Sequence, residues 1–212
     1  MKKGNLQVAV VGTMQTNCYL LTNTETKETV IVDPGDQGER IASFCLREEL
    51  RPVGILLTHG HFDHIGGVHA ITEAFRTPVY ASAEEEALLA EPGMNLSAKF
   101  QGYSLALVPD VLLEDGEVFT LGGFAIKAIH TPGHTGGGMC YYLPEEGIVF
   151  SGDTLFRHTY GRTDLPTSSF QELKDSLLNK VFALPEETEA LPGHGNATTI
   201  AEECKRNPIW GD

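Results

Sequence analysis

The chain has 212 residues, of which 41% are apolar and 21% charged, and its formal net charge is −14. This composition is that of an ordinary globular protein and excludes disordered and collagen-like chains. The length fits one domain or at most two small ones, and because no linker or charge block interrupts it, we predict a single domain over residues 1–212. The negative charge argues against nucleic acid or an anionic membrane surface as a partner, because both would be repelled.

The four cysteines are widely spaced and form no C-x-x-C pair, so they predict neither a zinc knuckle nor a disulfide framework. No apolar run approaches the roughly 18 residues of a membrane-spanning helix. Polar residues also interrupt the apolar part of the amino-terminal MKKGNLQVAVVG. We therefore expect neither a signal peptide nor a membrane anchor, and we expect a cytoplasmic protein.

The first third of the chain alternates short apolar runs with helical patterns. Strands are predicted over 6–11, 17–22, 29–35 and 53–58. One helix is predicted from Gly38 to Leu50, and another follows the last strand, with Ile65, Val68, Ile71 and Phe75 on its apolar face. This alternation predicts an α/β fold.

The remainder continues the same theme with one irregular interruption. A strand is predicted over 78–82 and an acidic helix over 83–91, whereas 92–104 shows no periodicity and is interpreted either as a lid or as a surface connection. Further strands are predicted within 118–156 and before His194, and Ser169 and Glu172 have the spacing of a capping box that begins a helix. Glutamate-rich stretches such as 84–86 are interpreted as solvated surface. A layered domain with strands inside and helices outside is expected.

Histidines and aspartates follow several of the predicted strands directly. Seven of these side chains lie in glycine- or threonine-rich loops: His59, His61, Asp63, His64, His134, Asp153 and His194. Side chains in such loops project from the edge of a sheet rather than from a solvated helix. Imidazole and carboxylate both serve zinc, and imidazole also serves iron, so five imidazoles and two carboxylates predict two divalent metal ions. His69, His130 and His158 are interpreted as ordinary hydrogen-bonded histidines.

The motifs THGHFDH, TPGHT, SGDT and PGHG, together with VDPG at 32–35, resemble those of the metallo-β-lactamase fold superfamily in their order. GRTDLP at 161–166 and PGHGNATTI at 192–200 most resemble the short bacterial glyoxalase II-like hydrolases. The resemblance implies a four-layer αββα sandwich, in which two mixed sheets face each other and helices cover both outer faces. It also implies a chain without the separate carboxyl-terminal helical region that binds substrate in typical glyoxalase II.

The resemblance further implies a ligand set. His59, His61 and His134 would hold one metal, Asp63, His64 and His194 the other, and Asp153 would bridge them. Zn²⁺ is the expected ion, with Fe or Mn as alternatives. Asp33, in the VDPG motif, is interpreted either as a group that orients a ligand or as a turn cap.

Such a centre predicts hydrolysis. A metal lowers the pKa of bound water to about 7, so hydroxide is available at neutral pH. This hydroxide would attack a carbonyl whose oxygen contacts one metal ion. Because a thiolate can leave without a proton donor, a small-molecule thioester is the expected substrate, and the resemblance suggests S-lactoylglutathione. Asp63 and Asp153 are the predicted catalytic residues.

The expected contacts with substrate are less specific. Where typical relatives place a lysine and then a tyrosine that contact glutathione, this chain has Arg162 and Asp164. Arg162 is interpreted either as a substrate contact or as the partner of Asp164 in an ion pair. Arg157 and Tyr160 are further candidates. The acyl and thiol parts of the substrate are not identified by these residues.

Other members of the superfamily supply alternative hypotheses. Persulfide dioxygenases share GRTD and use one iron held by residues that match His59, His134 and Asp153, but Leu165 and Pro166 depart from their pattern. True β-lactamases normally have cysteine where Asp153 stands and carry an export signal. Relatives that process RNA would require a basic surface, which the net charge of −14 opposes. A domain that keeps the fold only to bind a partner is a minor alternative.

Overall fold

The computed structural model describes residues 4–100 and 104–211. Its first sheet is mixed and has six strands in the order β1-β2-β3-β4-β5-β6. These are β1 (Gly4–Val11), β2 (Thr16–Asn23), β3 (Glu28–Val32), β4 (Arg51–Leu56), β5 (Val79–Ser82) and β6 (Val111–Leu113). Strands β1 to β3 pair antiparallel, whereas β3 to β6 pair parallel. Parallel neighbours need crossover connections, and several of these carry helices.

The second sheet is also mixed and has the order β14-β13-β10-β9-β8-β7. Its strands are β7 (Val118–Leu121), β8 (Phe124–His130), β9 (Met139–Leu143), β10 (Ile148–Gly152), β13 (Glu189–Pro192) and β14 (Thr198–Thr199). Only the β10–β13 pair of this sheet is parallel. Strands β11 (Leu155–Phe156) and β12 (Thr159–Tyr160) form a separate hairpin.

Helices lie on the outer side of each sheet. The α-helices of the described residues are α1 (Gly38–Arg47), α2 (Phe62–Ile65), α3 (Val68–Phe75), α4 (Glu86–Ala90), α5 (Ser97–Phe100), α6 (Phe170–Ser176) and α7 (Ile200–Arg206). A π-helical turn, Leu177–Val181, extends α6. The hydroxyl of Ser169 accepts the N–H of Glu172, so the predicted helix start is confirmed.

Alternation along the strands divides the apolar residues into three layers. In β3, Val30 and Val32 lie between the sheets, whereas Ile31 packs with residues of α1 and α3. In β9, Tyr141 faces the other sheet, while Cys140 packs with residues of α6 and α7. Burying each large aliphatic or aromatic side chain contributes about 1.5–3 kcal/mol, so all three interfaces stabilise the fold. The predicted αββα sandwich with two mixed sheets is confirmed.

The strands that precede the predicted ligands end at one edge of the sandwich. Strands β3 and β4 are parallel, β10 and β13 are parallel, and β8 runs in the direction of β10 because both are antiparallel to β9. The two sheets are joined at this edge. The N–H of Met139 donates to the carbonyl of Thr58 at 2.8 Å, and the hydroxyl of Tyr141 donates to the carbonyl of Leu57 at 2.8 Å.

Several predicted boundaries are wrong. Helix α1 ends at Arg47 rather than Leu50 because Glu49 has a left-handed backbone, with φ of 54°. Strand β3 ends at Val32 because Asp33, with φ of 47°, turns the chain out of the sheet.

The sequence pattern also missed several short elements, among them β6 and α7. Strand β6 has only three residues, too few to show alternation. Helix α7 follows β14 without an intervening loop, and its start is marked only by Thr199, whose hydroxyl accepts the N–H of Glu202. The segment 92–104, expected to be irregular, contains α5, and its residues 101–103 lie outside the described part.

Two further expectations concern membrane-spanning helices and the number of domains. In the described residues, 4–100 and 104–211, no helix combines the length and apolarity needed to cross a membrane. That the chain forms one domain over residues 1–212, with no separate helical substrate-binding region, stays a prediction.

Gly35 provides a test of how closely the loop after β3 packs against α2. A Cβ at this position would overlap the carbonyl oxygen of Asp63. We expect Gly35→Ala to lower the free energy of unfolding by about 3 kcal/mol, at the upper end of overpacking costs, because backbone must move. Gly93→Ala is the matched control, since its Cβ would meet only a side-chain oxygen at 3.6 Å. Urea denaturation measures both, and equal effects would contradict the close approach.

Candidate metal centre

The structure brings together all seven predicted ligand residues at the shared edge. The loop after β4 carries His59 and His61, and α2 carries Asp63 and His64. The remaining three follow β8, β10 and β13, and they are His134, Asp153 and His194. Each therefore stands at the carboxyl end of a strand, as the sequence predicts.

Three groups of ligand atoms lie close enough to hold a metal ion. The groups are His59, His61 and His134; His59, His64 and Asp153; and Asp63, His64 and His194. Within each group the ligand atoms lie within 4.8 Å of one another. The first and third groups are the two triads that the resemblance implies.

Asp153 lies between these two triads. Its Oδ2 is 3.6 Å from Nε2 of His134 and 3.5 Å from Nε2 of His194, while its Oδ1 is 3.4 Å from Nε2 of His64. One carboxylate therefore faces ligands of both triads. This is the position that a bridging carboxylate needs.

The distances between these atoms match those around a tetrahedral ion. Ligands about 2.1 Å from a tetrahedral zinc ion are about 3.4 Å from one another. Nε2 of His194 is 3.3 Å from Oδ2 of Asp63, and Asp153 has the similar distances given above. Nδ1 of His61 is 3.0 Å from Nε2 of His134.

Buried polar atoms in the centre lack partners. Nε2 of His59, Nε2 of His61 and Oδ1 of Asp153 have no hydrogen-bond partner among the residues that the structure describes. Leaving such an atom unsatisfied costs about 1–3 kcal/mol. A cation bound among these side chains would satisfy Nε2 of His59 and Oδ1 of Asp153, so the donor set fits a metal.

Two histidines of the first group, His59 and His61, favour the neutral form. Burial, together with neighbouring histidines, lowers the pKa of His59 well below its ordinary value. Burial and His134 lower the pKa of His61 to about 3. A neutral imidazole keeps a lone pair, which is the form that binds a metal.

The other group is dominated by carboxylates. Burial lowers the pKa of His64, but Asp153, Asp33 and Asp63 outweigh it and raise that pKa to about 10. Burial likewise opposes charge on Asp63, but His64 and His194 hold its pKa well below its usual range. These acids favour positive charge at His64, which a metal ion can supply in place of a proton.

Asp33 orients two of the histidines. Its Oδ2 accepts Nδ1–H of His64 at 3.0 Å and the hydroxyl of Thr58 at 2.6 Å, and its Oδ1 accepts the N–H of Thr58 at 2.8 Å. The same hydroxyl lies 3.1 Å from Nδ1 of His59, from which it can accept a hydrogen bond. Both rings thus direct Nε2 into the centre, and these contacts favour the orienting role of Asp33 over the turn cap, although that role stays a prediction.

His134 is oriented by main chain. Its Nδ1–H donates to the carbonyl oxygen of Arg162 at 2.8 Å, which leaves Nε2 free to face the centre. No sequence signal could identify this partner, because every residue has a carbonyl. The guanidinium of Arg162 makes a bidentate pair with Asp164, at 2.6 and 2.8 Å. This ion pair is one of the two interpretations of Arg162, and its role as a substrate contact stays a prediction.

The other predicted substrate contacts lie on the β11–β12 hairpin. The ring of Tyr160 packs against Phe170, with centroids 6.0 Å apart. Arg157 lines a surface cavity of about 360 Å³ beside the centre. The cavity is lined by Phe156, Arg157, Thr159, His194, Gly195 and Asn196. Arg157 thus shares a cavity with a predicted ligand, whereas Tyr160 is partly buried against Phe170.

The remaining histidines belong to none of the three groups. His69 pairs with Glu73 on the surface of α3, the ring of His130 bonds the carbonyl of Gly136, and His158 pairs with Glu202. Their interpretation as ordinary hydrogen-bonded residues agrees with these contacts.

Two residues that support the centre were missed. In the sequence, Thr58 is the last residue of a predicted apolar strand, so nothing indicated that its hydroxyl contacts Asp33 and His59. Glu85 was wrongly interpreted as part of a solvated glutamate stretch, yet it is 1% exposed and accepts the N–H groups of Gly60 and Gly137. A run of like charges does not reveal which member turns inward.

Comparison with known families identifies this architecture. The family model of the metallo-β-lactamase superfamily matches residues 11–194. The chain belongs to the metallo-β-lactamase superfamily. It is 38% identical over 201 residues, 94% of each chain, to a Bacillus subtilis protein described as "Probable metallo-hydrolase YqgX". It is 34% identical over 210 residues, 97% of each chain, to "Hydroxyacylglutathione hydrolase GloC" of Haemophilus influenzae.

Solved structures of the superfamily share the whole fold. The BLEG-1 B3 metallo-β-lactamase has a TM-score of 0.92 and 40% identity, covering 98% of this chain and 100% of its own. TTHA1623 in a di-iron-bound form has a TM-score of 0.84 and 38% identity, covering 96% and 99%. ETHE1 from Myxococcus xanthus has a TM-score of 0.82 and 28% identity, covering 98% and 85%.

Asp33 provides a test of the centre. In Asp33→Asn an amide N–H₂ replaces one oxygen and faces donors of Thr58 or His64. We expect the affinity for Zn²⁺ to fall about 10- to 100-fold, as it does when a partner that orients a metal ligand is lost. Competition against a coloured chelator measures the affinity.

The matched control is Asp175→Asn, since Asp175 is exposed on α6 and bonds only Gln171 among the contacts described. An Asp33→Asn variant that binds Zn²⁺ as tightly as this control would contradict the orienting role.

Proposed function

We propose that this protein is a metal-dependent hydrolase of small-molecule thioesters, with S-lactoylglutathione as the first substrate to test. The observation that carries the proposal is the convergence of five imidazoles and two carboxylates in two triads that share Asp153. Membership of the superfamily and similarity to a probable metallo-hydrolase support the hydrolase class. Similarity to GloC, described as a hydroxyacylglutathione hydrolase, supports the thioester.

Two divalent ions would be held by the residues already described. His59, His61 and His134 would bind one, Asp63, His64 and His194 the other, and Asp153 both. When bound, such ions lower the pKa of water to about 7 and polarise a carbonyl. Zn²⁺ suits this donor set, and Fe suits the imidazoles. The di-iron-bound TTHA1623 structure supports testing iron alongside zinc.

Substrate would approach from the side on which the centre is open. The side chains of Asp63, Asp153 and His194 are 13, 11 and 25% exposed, whereas that of His64 is fully buried. The hydroxyl of Thr16 donates to Oδ2 of Asp63 at 3.4 Å and helps to orient it. Because its pKa is held low, Asp63 stays ionised and can accept a hydrogen bond from an attacking water.

The leaving group favours a thioester over an amide. Among the contacts described in the part of the chain that the structure covers, the side chains hydrogen-bonded to those of the ligands, apart from other ligands, are Asp33, Thr16 and Thr58, and the hydroxyl of Thr58 donates to Asp33. An amine must take up a proton as it leaves, whereas a thiol with a pKa of about 8.5 leaves as a stable thiolate. A thioester therefore needs no further acid from the chain.

The cavity beside His194 supports binding of an acidic substrate. Arg157 brings a positive charge to its wall, and Phe156 lies 6.1 Å from the ring of His194. An apolar face and a guanidinium suit a ligand with a carbon chain and a carboxylate. We assign this cavity to the thiol part of the substrate, which in glutathione carries carboxylates.

Hydrolysis of β-lactams is a second candidate. The 40% identity and TM-score of 0.92 to a B3 metallo-β-lactamase favour it, despite the aspartate at position 153. A third candidate is the persulfide dioxygenase reaction, because His59, His134 and Asp153, the residues that match its single-iron set, also lie together. The number of metal ions and the substrate separate these candidates.

The central experiment uses protein purified without added metal. Elemental analysis should find close to two metal ions per chain, because both triads are complete. Hydrolysis of S-lactoylglutathione, followed by release of free thiol, should be lost with a chelator and regained with Zn²⁺ or Fe²⁺. Coenzyme A thioesters, a chromogenic β-lactam and glutathione persulfide with an oxygen electrode complete the panel.

Other results would reject thioester hydrolysis. Turnover of the β-lactam alone would favour the second candidate, and one iron per chain with oxygen consumption would favour the third. A metal-loaded protein inactive on the whole panel would support a binding role instead.

Arg157 provides a separate test of substrate binding. We expect Arg157→Ala to raise KM for S-lactoylglutathione about 10-fold, because a charge-assisted hydrogen bond is worth about 1.5 kcal/mol, and to leave kcat nearly unchanged. Arg47→Ala is the control, since Arg47 is exposed on α1 and pairs with Glu48. An unchanged KM would remove Arg157 from the substrate site.

A further inference from the structure

Glu85 is a buried acid outside the ligand set. It is 1% exposed and ends a 3-10 turn, Ala83–Glu85, whose start is capped by Ser82. Its Oε1 accepts the N–H of Gly60 at 2.8 Å, and its Oε2 accepts the N–H of Gly137 at 2.9 Å. One carboxylate therefore joins two separate loops.

Both loops carry members of the three-histidine group. Gly60 stands between His59 and His61, and Gly137 follows His134 by three residues. Glu85 thus bonds to main chain beside the ligands without being one itself. Any change in its position would alter the spacing of the two loops.

The packing around these glycines leaves little freedom. A Cβ at Gly137 would overlap the backbone nitrogen of Glu85, and a Cβ at Gly60 would lie 2.7 Å from the side chain of Leu88. The turn Ala83–Glu85 is therefore pressed against the loop of Gly137 and α4 against the loop of Gly60, and the carboxylate of Glu85 lies between the two N–H groups.

Burial of this acid is not explained by stability alone. Burial raises the pKa of Glu85 to about 6, whereas the N–H donors of Gly60 and Gly137 favour its charged form. At neutral pH it is ionised, with both oxygens accepting. Burying an ionised group is costly, and an apolar residue of similar volume often stabilises a fold as well or better.

We propose that Glu85 is a positioning residue that fixes the loop of His59 and His61 against the loop of His134, so that the three-histidine group is assembled before metal binds. This inference rests on the metal centre of the proposed function and not on the identity of the substrate.

The test is Glu85→Gln in metal-free protein titrated with Co²⁺. Glutamine keeps the shape but has one accepting oxygen, so its N–H₂ faces the second N–H donor. We expect at least a 10-fold weaker Co²⁺ affinity, measured by chelator competition, and an altered visible spectrum of the bound ion. Glu86→Gln, which removes the same charge from an exposed neighbour, should match the wild type.

A merely structural role gives a different result. If Glu85→Gln lowers the stability of the metal-free protein but binds Co²⁺ with wild-type affinity and spectrum, the proposal is overturned. Should the variant not fold, amide hydrogen exchange in metal-free wild-type protein decides: Gly60 and Gly137 should be protected, and rapid exchange at both would overturn the proposal. Wild-type protein that binds Co²⁺ but cleaves no thioester would reject only the hydrolase proposal.

Discussion

Charge balance at the edge where the two sheets meet is the constraint on which the site depends. Asp33, Asp63 and Asp153 have side chains that are 3, 13 and 11% exposed. A carboxylate removed from water must be compensated by hydrogen bonds or by positive charge. Asp33 is compensated within the protein, by Thr58 and His64, whereas Asp63 and Asp153 direct oxygens at imidazole nitrogens. The negative charge of these two acids is what a bound cation would balance.

The two triads differ in what would attract a cation to them. Three aspartates surround His64 and raise its pKa, so charge attracts a cation to that side. Around His59 and His61 burial lowers the pKa values, so these two rings favour the neutral form and attract an ion mainly by their arrangement. The arrangement of the three rings has to be supported from outside the group, and main-chain contacts supply this support. The carbonyl of Arg162 accepts a hydrogen bond from the ring of His134, and the N–H groups of Gly60 and Gly137 donate to Glu85.

The sequence reveals the predicted metal ligands better than it reveals the residues that hold those ligands in place. Histidines directly after apolar strands are conspicuous because their side chains are costly to bury without a role, and strand direction brings them to one edge. The αββα architecture was implied by the resemblance of the motifs, and the structure adds which layer each residue belongs to, since neighbouring residues of β3 face opposite sides. Thr58 and Glu85 were not predictable, because a hydroxyl suits a strand end and an acid suits a surface. Their partners are groups that every residue carries or that lie distant in sequence.

Under the proposed function, substrate choice depends on a different part of the molecule from metal binding. A centre of this composition can serve any attack of water on a carbonyl, so relatives described as a β-lactamase and as a hydroxyacylglutathione hydrolase can share one fold. What distinguishes them must lie in the walls around the ions. Here those walls include the β11–β12 hairpin, whose turn is held by Glu203: this buried acid accepts the N–H of His158 at 3.0 Å and a side-chain N–H of Asn207 at 2.9 Å. The hairpin places Arg157 at the wall of the cavity beside His194, and under the proposed function its positive charge would favour substrates whose acidic group is remote from the bond that breaks.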